Sequence, residues 1–290
     1  LGIYNLTTSV EAKLKRKLYL VPNHPIEIVK RLVYKATGCP VVVEDLSSEV
    51  SVADNFDLLR IPLDHPSRRV TDTYYLNEDT VIRTHTTAHL PILARLHSDY
   101  MVAGDVARKD TINSAHYLVF CQVDAYRETD TPHEDLLRDL SAIIETLFPG
   151  REYRFSPDYF PFTISSVEAE LKFGDRWIEI LGGGTVHPDI MEAIGKSDKT
   201  AYAYGLGLDR LAMILFEIPD IRLLWSGDER FLAQFSSGEI VKYKPYSDQP
   251  PCKKGMALWI HNSDEVTDSE WSGYNDMCEG IISIIYTEVT

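Results

Sequence analysis

The sequence predicts an α+β fold in which helices flank a mostly antiparallel sheet. Its strand candidates follow one another along the chain, and tight turns such as Gly174-Asp175 join them. Apolar residues at helical spacing lie before and after these strands. A parallel doubly wound sheet would instead alternate strands with crossover helices. The 290 residues, 44% of them hydrophobic and 25% charged, are enough for one large domain and a smaller one.

The first 100 residues predict two helices and three strands. Apolar residues at helical spacing predict the first helix over 25–35, and Thr37-Gly-Cys-Pro40 ends it. Strands are expected at 41–43, 73–76 and 81–87, and the second helix at 88–98. Alternation in the last of these strands would place Arg83, His85 and Thr87 on one face.

A strand pair over 104–124 is the most informative segment, with a predicted loop of about five residues between its arms. One face of the return arm is apolar and suited to a core: Tyr117, Val119, Cys121, Val123 and Ala125. The other face carries His116, Leu118, Phe120, Gln122 and Asp124, with Arg108 at the turn end of the first arm. A ring for a base and an arginine for a phosphate predict a nucleotide site. The alternative is an ordinary amphipathic hairpin with a solvated face.

Beyond this pair, the pattern again predicts strands between helices. Helices are expected at 133–148, from Pro188, at 208–216 and at 228–235. Strands are expected at 152–155, 159–163, 166–173, 177–181 and 201–204. Gly182-Gly-Gly184 predicts a flexible loop, and a change in composition near residue 236 predicts a linker.

Composition and charge exclude several classes of protein. The net charge of −15 argues against a protein that coats nucleic acid generally. Residues 11–35 nevertheless hold seven Lys and Arg against two Glu, which is either a solvated face or a contact with a nucleic-acid backbone. The sequence contains no apolar run of about 20 residues, the length that would predict a membrane span. The four cysteines lack the spacing of a zinc site. His85 and His89 are four residues apart but lack the Glu of the metalloprotease motif, so they are weak metal candidates. The start at Leu1, without Met, predicts a processed N-terminus.

One segment, Gly205-Leu-Gly-Leu-Asp-Arg210, joins a strand to a helix with glycines for close ligand approach and an arginine for a polyphosphate. With His65-Pro66 and the strand pair, it resembles the three signature motifs of class II aminoacyl-tRNA synthetases. Further motifs narrow the resemblance to the phenylalanyl-tRNA synthetases, best the single-chain organellar form: Asp64-His-Pro-Ser-Arg68, Arg83-Thr-His-Thr-Thr-Ala-His89, Gly104-Asp-Val-Ala-Arg108, Tyr159-Phe-Pro-Phe162, Glu179-Ile-Leu-Gly182 and Ile218-Pro-Asp-Ile-Arg222. The resemblance covers 55–235 strongly and 241–290 weakly.

The resemblance implies a phenylalanine–tRNA ligase that activates phenylalanine with ATP and transfers it to the 3′ end of tRNA(Phe) in organellar translation. It implies four parts of the chain: an N-terminal extension (1–54), a catalytic domain (55–235), a linker (236–243) and a partial ferredoxin-like anticodon-binding domain (244–290). ATP and Mg²⁺ are the implied cofactors. The resemblance implies a monomer without membrane contact. It places the protein in the mitochondrial matrix, or in a plastid.

The resemblance also assigns roles to individual residues. Arg108 would be catalytic, at the α-phosphate and the substrate carboxylate, and Arg210 would be catalytic at the γ-phosphate. The other ATP contacts would be Asp110 near the adenine amine, His116 at the phosphates, Phe120 under adenine and Glu179 near Mg²⁺. Phenylalanine would contact His85, Thr87, Gln122 and Asp124 through its charged groups, and Phe160, Phe162 and Ala203 through its ring.

The chain departs from the family pattern at several positions. Thr87 stands where Ser is usual and Asp124 where Glu is usual, so the contact with the substrate amino group is in question. Asp209 also replaces the usual Glu, directly before Arg210. The tail, 241–290, is half the expected length of its module and holds four Lys against eight Asp and Glu. That charge does not suit a surface that binds phosphates.

Two other functions remain open on the sequence. One is a non-catalytic synthetase paralogue that binds RNA or protein. The other is a class II enzyme that activates another aromatic or modified amino acid. Retention of Arg108, Phe120 and Arg210 favours the enzyme, and the Phe160–Phe162 pair with Ala203 favours phenylalanine.

Overall fold

The computed structural model describes residues 4–109 and 111–246. Within them the strands are β1 (Val42–Val43), β2 (Glu49–Ser51), β3 (Thr80–Ile82), β4 (Asp99–Ala107), β5 (Val119–Glu128), β6 (Tyr153–Pro157), β7 (Thr163–Phe173), β8 (Arg176–Val186) and β9 (Ala201–Gly207). The α-helices of the same residues are α1 (Thr8–Leu14), α2 (Pro25–Thr37), α3 (Leu90–Leu96), α4 (Pro132–Leu147), α5 (Pro188–Ala193), α6 (Leu208–Leu215), α7 (Ile221–Leu224) and α8 (Glu229–Ala233).

Seven strands form one sheet in the order β1-β4-β5-β9-β8-β7-β6. β1 runs parallel to β4, and the other neighbouring pairs are antiparallel. β2 and β3 form a separate antiparallel pair. Helices α2, α4 and α6 pack together, and α4 also contacts β8 and β9. The predicted α+β class is therefore confirmed.

Helix α2 shows how local sequence defines one of these elements. The Nδ1 atom of His24 accepts a hydrogen bond from the N–H of Ile26 at 3.2 Å, which caps the first turn. Gly38 ends the helix with a φ of 62°, a conformation that favours glycine. Val29 and Val33, one turn apart, are fully buried. The helix predicted for this segment is confirmed.

The prediction of a flexible loop at Gly182-Gly-Gly184 is wrong, because these residues continue β8 as far as Val186. A Cβ atom at Gly183 would lie 2.6 Å from the backbone oxygen of Ala203 on β9. A Cβ at Gly184 would lie 2.8 Å from the Cβ of Thr163 on β7. Close packing against both neighbouring strands therefore requires glycine here.

The segment after β3 also differs from its prediction. β3 ends at Ile82, and a 3-10 turn over Thr86–His89 follows where a strand to residue 87 is predicted. Arg83 is buried in the core, while His85 and Thr87 line the cavity, so the prediction that the three share one face is wrong. Helix α3 follows the turn directly and is shorter than predicted.

Three further strand predictions need correction. Residues 73–76 make only an isolated bridge, between Tyr75 and Val81. Residues 159–162 form an irregular connection, and only Thr163 of that predicted strand belongs to β7. The connection from β4 to β5 runs over 108–118 and is longer than predicted, because β5 begins at Val119. His116 and Leu118 therefore lie in this connection.

The described part of the chain belongs to the compact unit Leu1–Pro245, apart from Tyr246. Residues predicted as a linker hydrogen-bond to this unit: Asn23 donates to the oxygen of Ser236, and the N–H of Tyr243 donates to the oxygen of Phe216. A second unit covers Tyr246–Thr290. The predicted ferredoxin-like domain lies almost entirely outside the described residues, and the predicted domain boundaries stay predictions. None of the described helices is long and apolar enough to cross a membrane.

Candidate active site

A cavity of about 500 Å³ opens on the sheet beside β5, β8 and β9. It is lined by twelve of the thirteen site residues predicted from the sequence: His85, Thr87, Arg108, His116, Phe120, Gln122, Asp124, Phe160, Phe162, Glu179, Ala203 and Arg210. The thirteenth, Asp110, lies outside the described residues. Residues spread over 126 positions of the chain thus converge on one cavity.

Strand β5 provides the floor of the cavity through its alternating side chains. Phe120, Gln122 and Asp124 line the cavity. Cys121 and Val123, between them in sequence, are fully buried in the core. From Val119 onward the two faces predicted for this strand are confirmed. The prediction is wrong for Tyr117, which was expected on the core face but lies half-buried in the connection before β5 and lines the cavity.

One end of the cavity is aromatic. The rings of Phe160 and Phe162 stack with centroids 5.8 Å apart and planes 16° from parallel. Gly182 on β8 permits this packing, since a Cβ there would lie 2.8 Å from Cζ of Phe160. Ala203 on β9 adds a small side chain to the same lining. This end suits a flat apolar group.

Next to the aromatic end lies a buried carboxylate. Asp124 is 8% exposed, and it accepts hydrogen bonds from the hydroxyls of Thr87 (2.8 Å) and Thr86. Burial raises the pKa of Asp124 to about 6, while the two hydroxyls act to lower it. Gly205 allows the carboxylate to lie close to β9, because a Cβ there would be 2.9 Å from Oδ1 of Asp124.

Thr86 is a residue that sequence reasoning missed. In a strand it would point away from Thr87, because successive side chains alternate. The 3-10 turn instead directs both hydroxyls to Asp124. The signal available in the sequence was only the position of Thr86 between His85 and Thr87.

Three buried polar atoms at the cavity have no hydrogen-bond partner among the described residues: Nδ1 and Nε2 of His85, and Oε1 of Gln122. Burial, with the charge of Arg108, lowers the pKa of His85 to about 3, so its ring is neutral. Buried polar atoms are usually paired, and unpaired ones point to a missing polar ligand.

The cavity lining also contains two cations. The guanidinium of Arg108 lies 5.2 Å from the ring centre of Phe120, and its Nε donates to the oxygen of Thr84 at 2.9 Å. Arg210 is exposed in the first turn of α6 and lines the same cavity. Gly207, just before α6, leaves open space, with no atom within 4 Å of a Cβ built there. A base could stack on the Phe120 ring, and a phosphate chain could contact the two arginines and approach the backbone at Gly207.

Glu179 is exposed on β8 at the edge of the cavity. Burial and the charge of Glu179 raise the pKa of nearby Glu168. Among the described residues, no group of three or more His, Cys, Asp or Glu side chains could hold a metal ion by itself. His89 is bound to Nη1 of Arg83 at 2.6 Å, so the two histidines four apart do not form a metal pair.

Arg83 belongs to the core and not to the cavity. It is 1% exposed, and its Nε donates to the backbone oxygen of Asp105 at 2.8 Å. Its guanidinium occupies the space above Gly104, where a Cβ would collide with it. Gly104 is thus required by a buried arginine.

The chain is similar to known proteins over most of its length. The family model described as "tRNA synthetases class II core domain (F)" matches residues 15–235. The chain is 41% identical to "Phenylalanine--tRNA ligase, chloroplastic/mitochondrial" of Arabidopsis thaliana, over 97% of this chain and 68% of the relative. It is 35% identical to "Phenylalanine--tRNA ligase, mitochondrial" of Mus musculus, over 92% and 70% of the two chains.

The fold has solved counterparts. The structure of a pyrrolysyl-tRNA synthetase from Desulfitobacterium hafniense superposes with a TM-score of 0.54 at 16% identity. That match covers 74% of this chain and 77% of the other. At this identity the likeness concerns the fold alone.

Proposed function

This chain belongs to the class II aminoacyl-tRNA synthetases, in the family of the organellar phenylalanine–tRNA ligases, and from that membership we propose how its cavity works. The activity is the ATP-dependent joining of phenylalanine to tRNA. The observation that carries the proposal is the convergence of one aromatic end, one buried carboxylate and two arginines on a single cavity. Each part matches one part of the two small substrates.

Phenylalanine is proposed to bind at the aromatic end. Its ring would contact Phe160 and Phe162, with Ala203 leaving room at the far end of the ring. Its ammonium group would contact the carboxylate of Asp124, which both threonine hydroxyls hold in place. The unpaired atoms of His85 and Gln122 are available to the polar end of this substrate.

ATP is proposed to bind beside the two arginines. Adenine would stack on Phe120, Arg108 would contact the α-phosphate, and Arg210 would contact the γ-phosphate. His116, in the connection between β4 and β5, lines the same cavity and would contact the phosphates. Asp110 is retained in this proposal on sequence grounds.

Class II synthetases use Mg²⁺ with ATP, and the donor set here fits an ion carried by the nucleotide. Glu179 offers one carboxylate, and the described residues contain no preformed cage. The phosphates of ATP would therefore provide the other ligands. When bound, Mg²⁺ would neutralise charge on these phosphates.

The reaction needs positioning more than acid–base chemistry. A carboxylate oxygen of phenylalanine attacks the α-phosphorus, and pyrophosphate leaves. The phenylalanine carboxylate is already ionised at neutral pH, so no general base is required. Arg108, between the two subsites, would stabilise the charge on the α-phosphate in the transition state. In the second step a terminal ribose hydroxyl of tRNA attacks the adenylate carbonyl, and AMP leaves.

The basic run over 11–35 gains little support as a tRNA contact. Lys15, Lys17, Lys30 and Arg31 pair with acidic side chains, and Arg16 donates to the backbone oxygens of Trp225 and Ser226. These cations are thus largely used within the fold. We propose action in a mitochondrion or plastid on the names of the relatives, and a monomer on resemblance.

Phenylalanine-dependent exchange of pyrophosphate into ATP tests the proposal. We expect exchange by the wild-type chain and a loss of about a hundredfold or more in Arg108→Ala, as when another preorganised charge-stabilising donor is removed. Phe173→Ala, which removes a ring near Arg151 away from the cavity, is the control and should leave exchange unchanged. A wild-type chain that binds tRNA but does not exchange pyrophosphate would instead support the non-catalytic paralogue. Exchange with another aromatic amino acid alone would support the third function.

A further inference from the structure

Asp209 is a buried carboxylate that the proposed reaction does not use. It directly precedes Arg210 and is 2% exposed. Its Oδ2 accepts a hydrogen bond from the backbone N–H of Cys121 at 2.6 Å, and its Oδ1 accepts one from Nε1–H of Trp225 at 2.9 Å. Among the described residues, no lysine or arginine forms an ion pair with it.

The bond to Cys121 extends the sheet by one step. β9 pairs with β5 as far as Gly207, which lies opposite Gln122, and the chain then turns into α6. The next N–H on this edge of β5 belongs to Cys121, and no backbone oxygen of β9 lies opposite it, because the pairing ends at Gly207. The Asp209 side chain accepts this hydrogen bond in place of a backbone oxygen, which avoids an unpaired buried donor.

The bond to Trp225 adds a third element. Trp225 follows α7, and its ring centre lies 5.9 Å from that of Tyr117, in the connection that lines the cavity. The two bonds from one carboxylate therefore fasten the first turn of α6 both to β5 and to the residue after α7. Burial raises the pKa of Asp209 to about 7, while these two donors act to lower it, so above this pH the carboxylate is ionised and accepts both bonds. A charged acceptor makes such bonds stronger than neutral ones.

We propose that Asp209 is a positioning residue for ATP. It holds the first turn of α6 against β5, so that Arg210 and Phe120 keep the separation that one ATP molecule requires. Cys121 lies between Phe120 and Gln122, so its bond to Asp209 acts next to the proposed adenine platform. This inference rests on the proposed function of the cavity.

The chemistry of the side chain explains why a carboxylate suits this position. Both of its hydrogen-bond partners are donors that cannot accept, and both carboxylate oxygens can accept. Asn has the same size but presents one NH₂ group, which would face one of the two N–H groups. Asp209→Asn therefore breaks one bond and leaves the volume unchanged.

Equilibrium binding of ATP and of phenylalanine to the full chain, each measured by calorimetry, tests this role. We expect Asp209→Asn to raise the Kd for ATP about tenfold, the effect of losing one hydrogen bond to a charged group. The Kd for phenylalanine should change by less than about twofold, since its proposed contacts lie on other residues. Trp225→Phe removes the Nε1–H donor together with part of a buried ring, and it should raise the Kd for ATP in the same direction.

Asp105→Asn is the matched control. Asp105 is also buried, at 3% exposed, and its Oδ1 accepts a hydrogen bond from Sγ of Cys121 at 3.2 Å. It lies on β4, however, and not beside Arg210. It should leave the Kd for ATP unchanged. Pyrophosphate exchange by the wild type is measured in parallel, so that failure of the proposed reaction is seen separately.

Three results would overturn the positioning role. The first is an unchanged Kd for ATP in both Asp209→Asn and Trp225→Phe. The second is an equal loss of affinity for ATP and phenylalanine, which would indicate general loosening of the fold. The third is a wild-type chain that binds no ATP, since Asp209 would then have no nucleotide to position. If Asp209→Asn fails to fold, Trp225→Phe decides by the same criteria.

Discussion

Arg108 lies with its guanidinium 5.2 Å from the ring centre of Phe120. Arg108 begins the connection between β4 and β5, Phe120 lies on β5 just after it, and both line the cavity. Their cation–π contact, with the bond from Nε of Arg108 to the oxygen of Thr84, orients the guanidinium before any substrate binds. A site preorganised in this way loses less entropy when the phosphate arrives.

Phe120 is therefore expected to matter for the nucleotide and not for the amino acid. We expect Phe120→Leu to raise the KM for ATP by about 5- to 150-fold, since stacking of one base on an aromatic ring contributes roughly 1–3 kcal/mol. The KM for phenylalanine should change little. Phe173→Leu is the control, because Phe173 also lies under an arginine, Arg151, at 4.7 Å. Equal effects of the two substitutions would contradict the assignment.

Thr86 should influence the pH dependence of phenylalanine activation. Its hydroxyl acts to lower the pKa of Asp124, which burial raises to about 6. Only the ionised carboxylate attracts the substrate ammonium, so kcat/KM for phenylalanine should fall as pH drops through this pKa. Thr86→Val removes one hydroxyl, raises the pKa further, and should move this fall to higher pH.

A pH series of the exchange reaction, from pH 5 to 8, measures the shift. Thr71→Val is the control, since Thr71 donates to Asp72 in an exposed Thr–Asp pair. The control should follow the wild-type curve. A Thr86→Val curve with the wild-type midpoint would show that this hydroxyl does not act on Asp124.

Two glycines should separate folding from function. Gly104→Ala places a Cβ against the buried guanidinium of Arg83, and we expect a loss of about 1–3 kcal/mol in the free energy of unfolding. Gly207→Ala meets no atom within 4 Å, so its stability should stay near that of the wild type. Because Gly207 lines the cavity, its new methyl group should instead raise the KM for ATP. Urea denaturation and exchange kinetics on both variants check this contrast; the reverse pattern would be inconsistent with the packing.

Asp105 should make stability depend on pH. Burial raises its pKa from 3.8 to about 7, so between these values the folded protein holds a proton that the unfolded chain has released. The free energy of unfolding therefore falls as pH rises through this window. Asp105→Asn removes this effect and should gain up to about 1.4 kcal/mol per pH unit relative to the wild type.

Urea denaturation at pH 5, 6 and 7 measures that difference. His24, His85 and His89, whose pKa values burial lowers, act in the opposite direction, because the unfolded chain binds their protons. They are present in both proteins and cancel in the comparison. A difference in stability that stays constant over the three pH values would refute the role of Asp105.

Local patterns accounted for much of the site. Phe120, Gln122 and Asp124 were predictable as one face because strand alternation is a local property of the backbone. Thr86 was not, since tertiary packing converts the predicted strand into a 3-10 turn. Long-range contacts could not be predicted from local patterns either. Asp209 and Cys121 are 88 residues apart in sequence, and the pairing of β9 with β5 brings them together.

Gly182-Gly-Gly184 illustrates the ambiguity of glycine in a sequence. Glycine is typical of loops, but it is also required where strands pack too closely for a Cβ. Only the positions of Ala203 and Thr163 on the neighbouring strands distinguish these cases.

The alternation of β5 also has a metric consequence. Side chains two apart on an extended strand are separated by roughly 7 Å, so Phe120 and Asp124 lie roughly 14 Å apart along one backbone. In the proposed complex, a single strand thus fixes the distance between the positions that bind the nucleotide base and the amino group. A substrate of another size cannot be accommodated by shifting the register of β5 by one residue, because that shift would turn every side chain to the opposite face. Changes in substrate size must therefore be absorbed at the ends of the cavity, by residues such as Ala203 on β9.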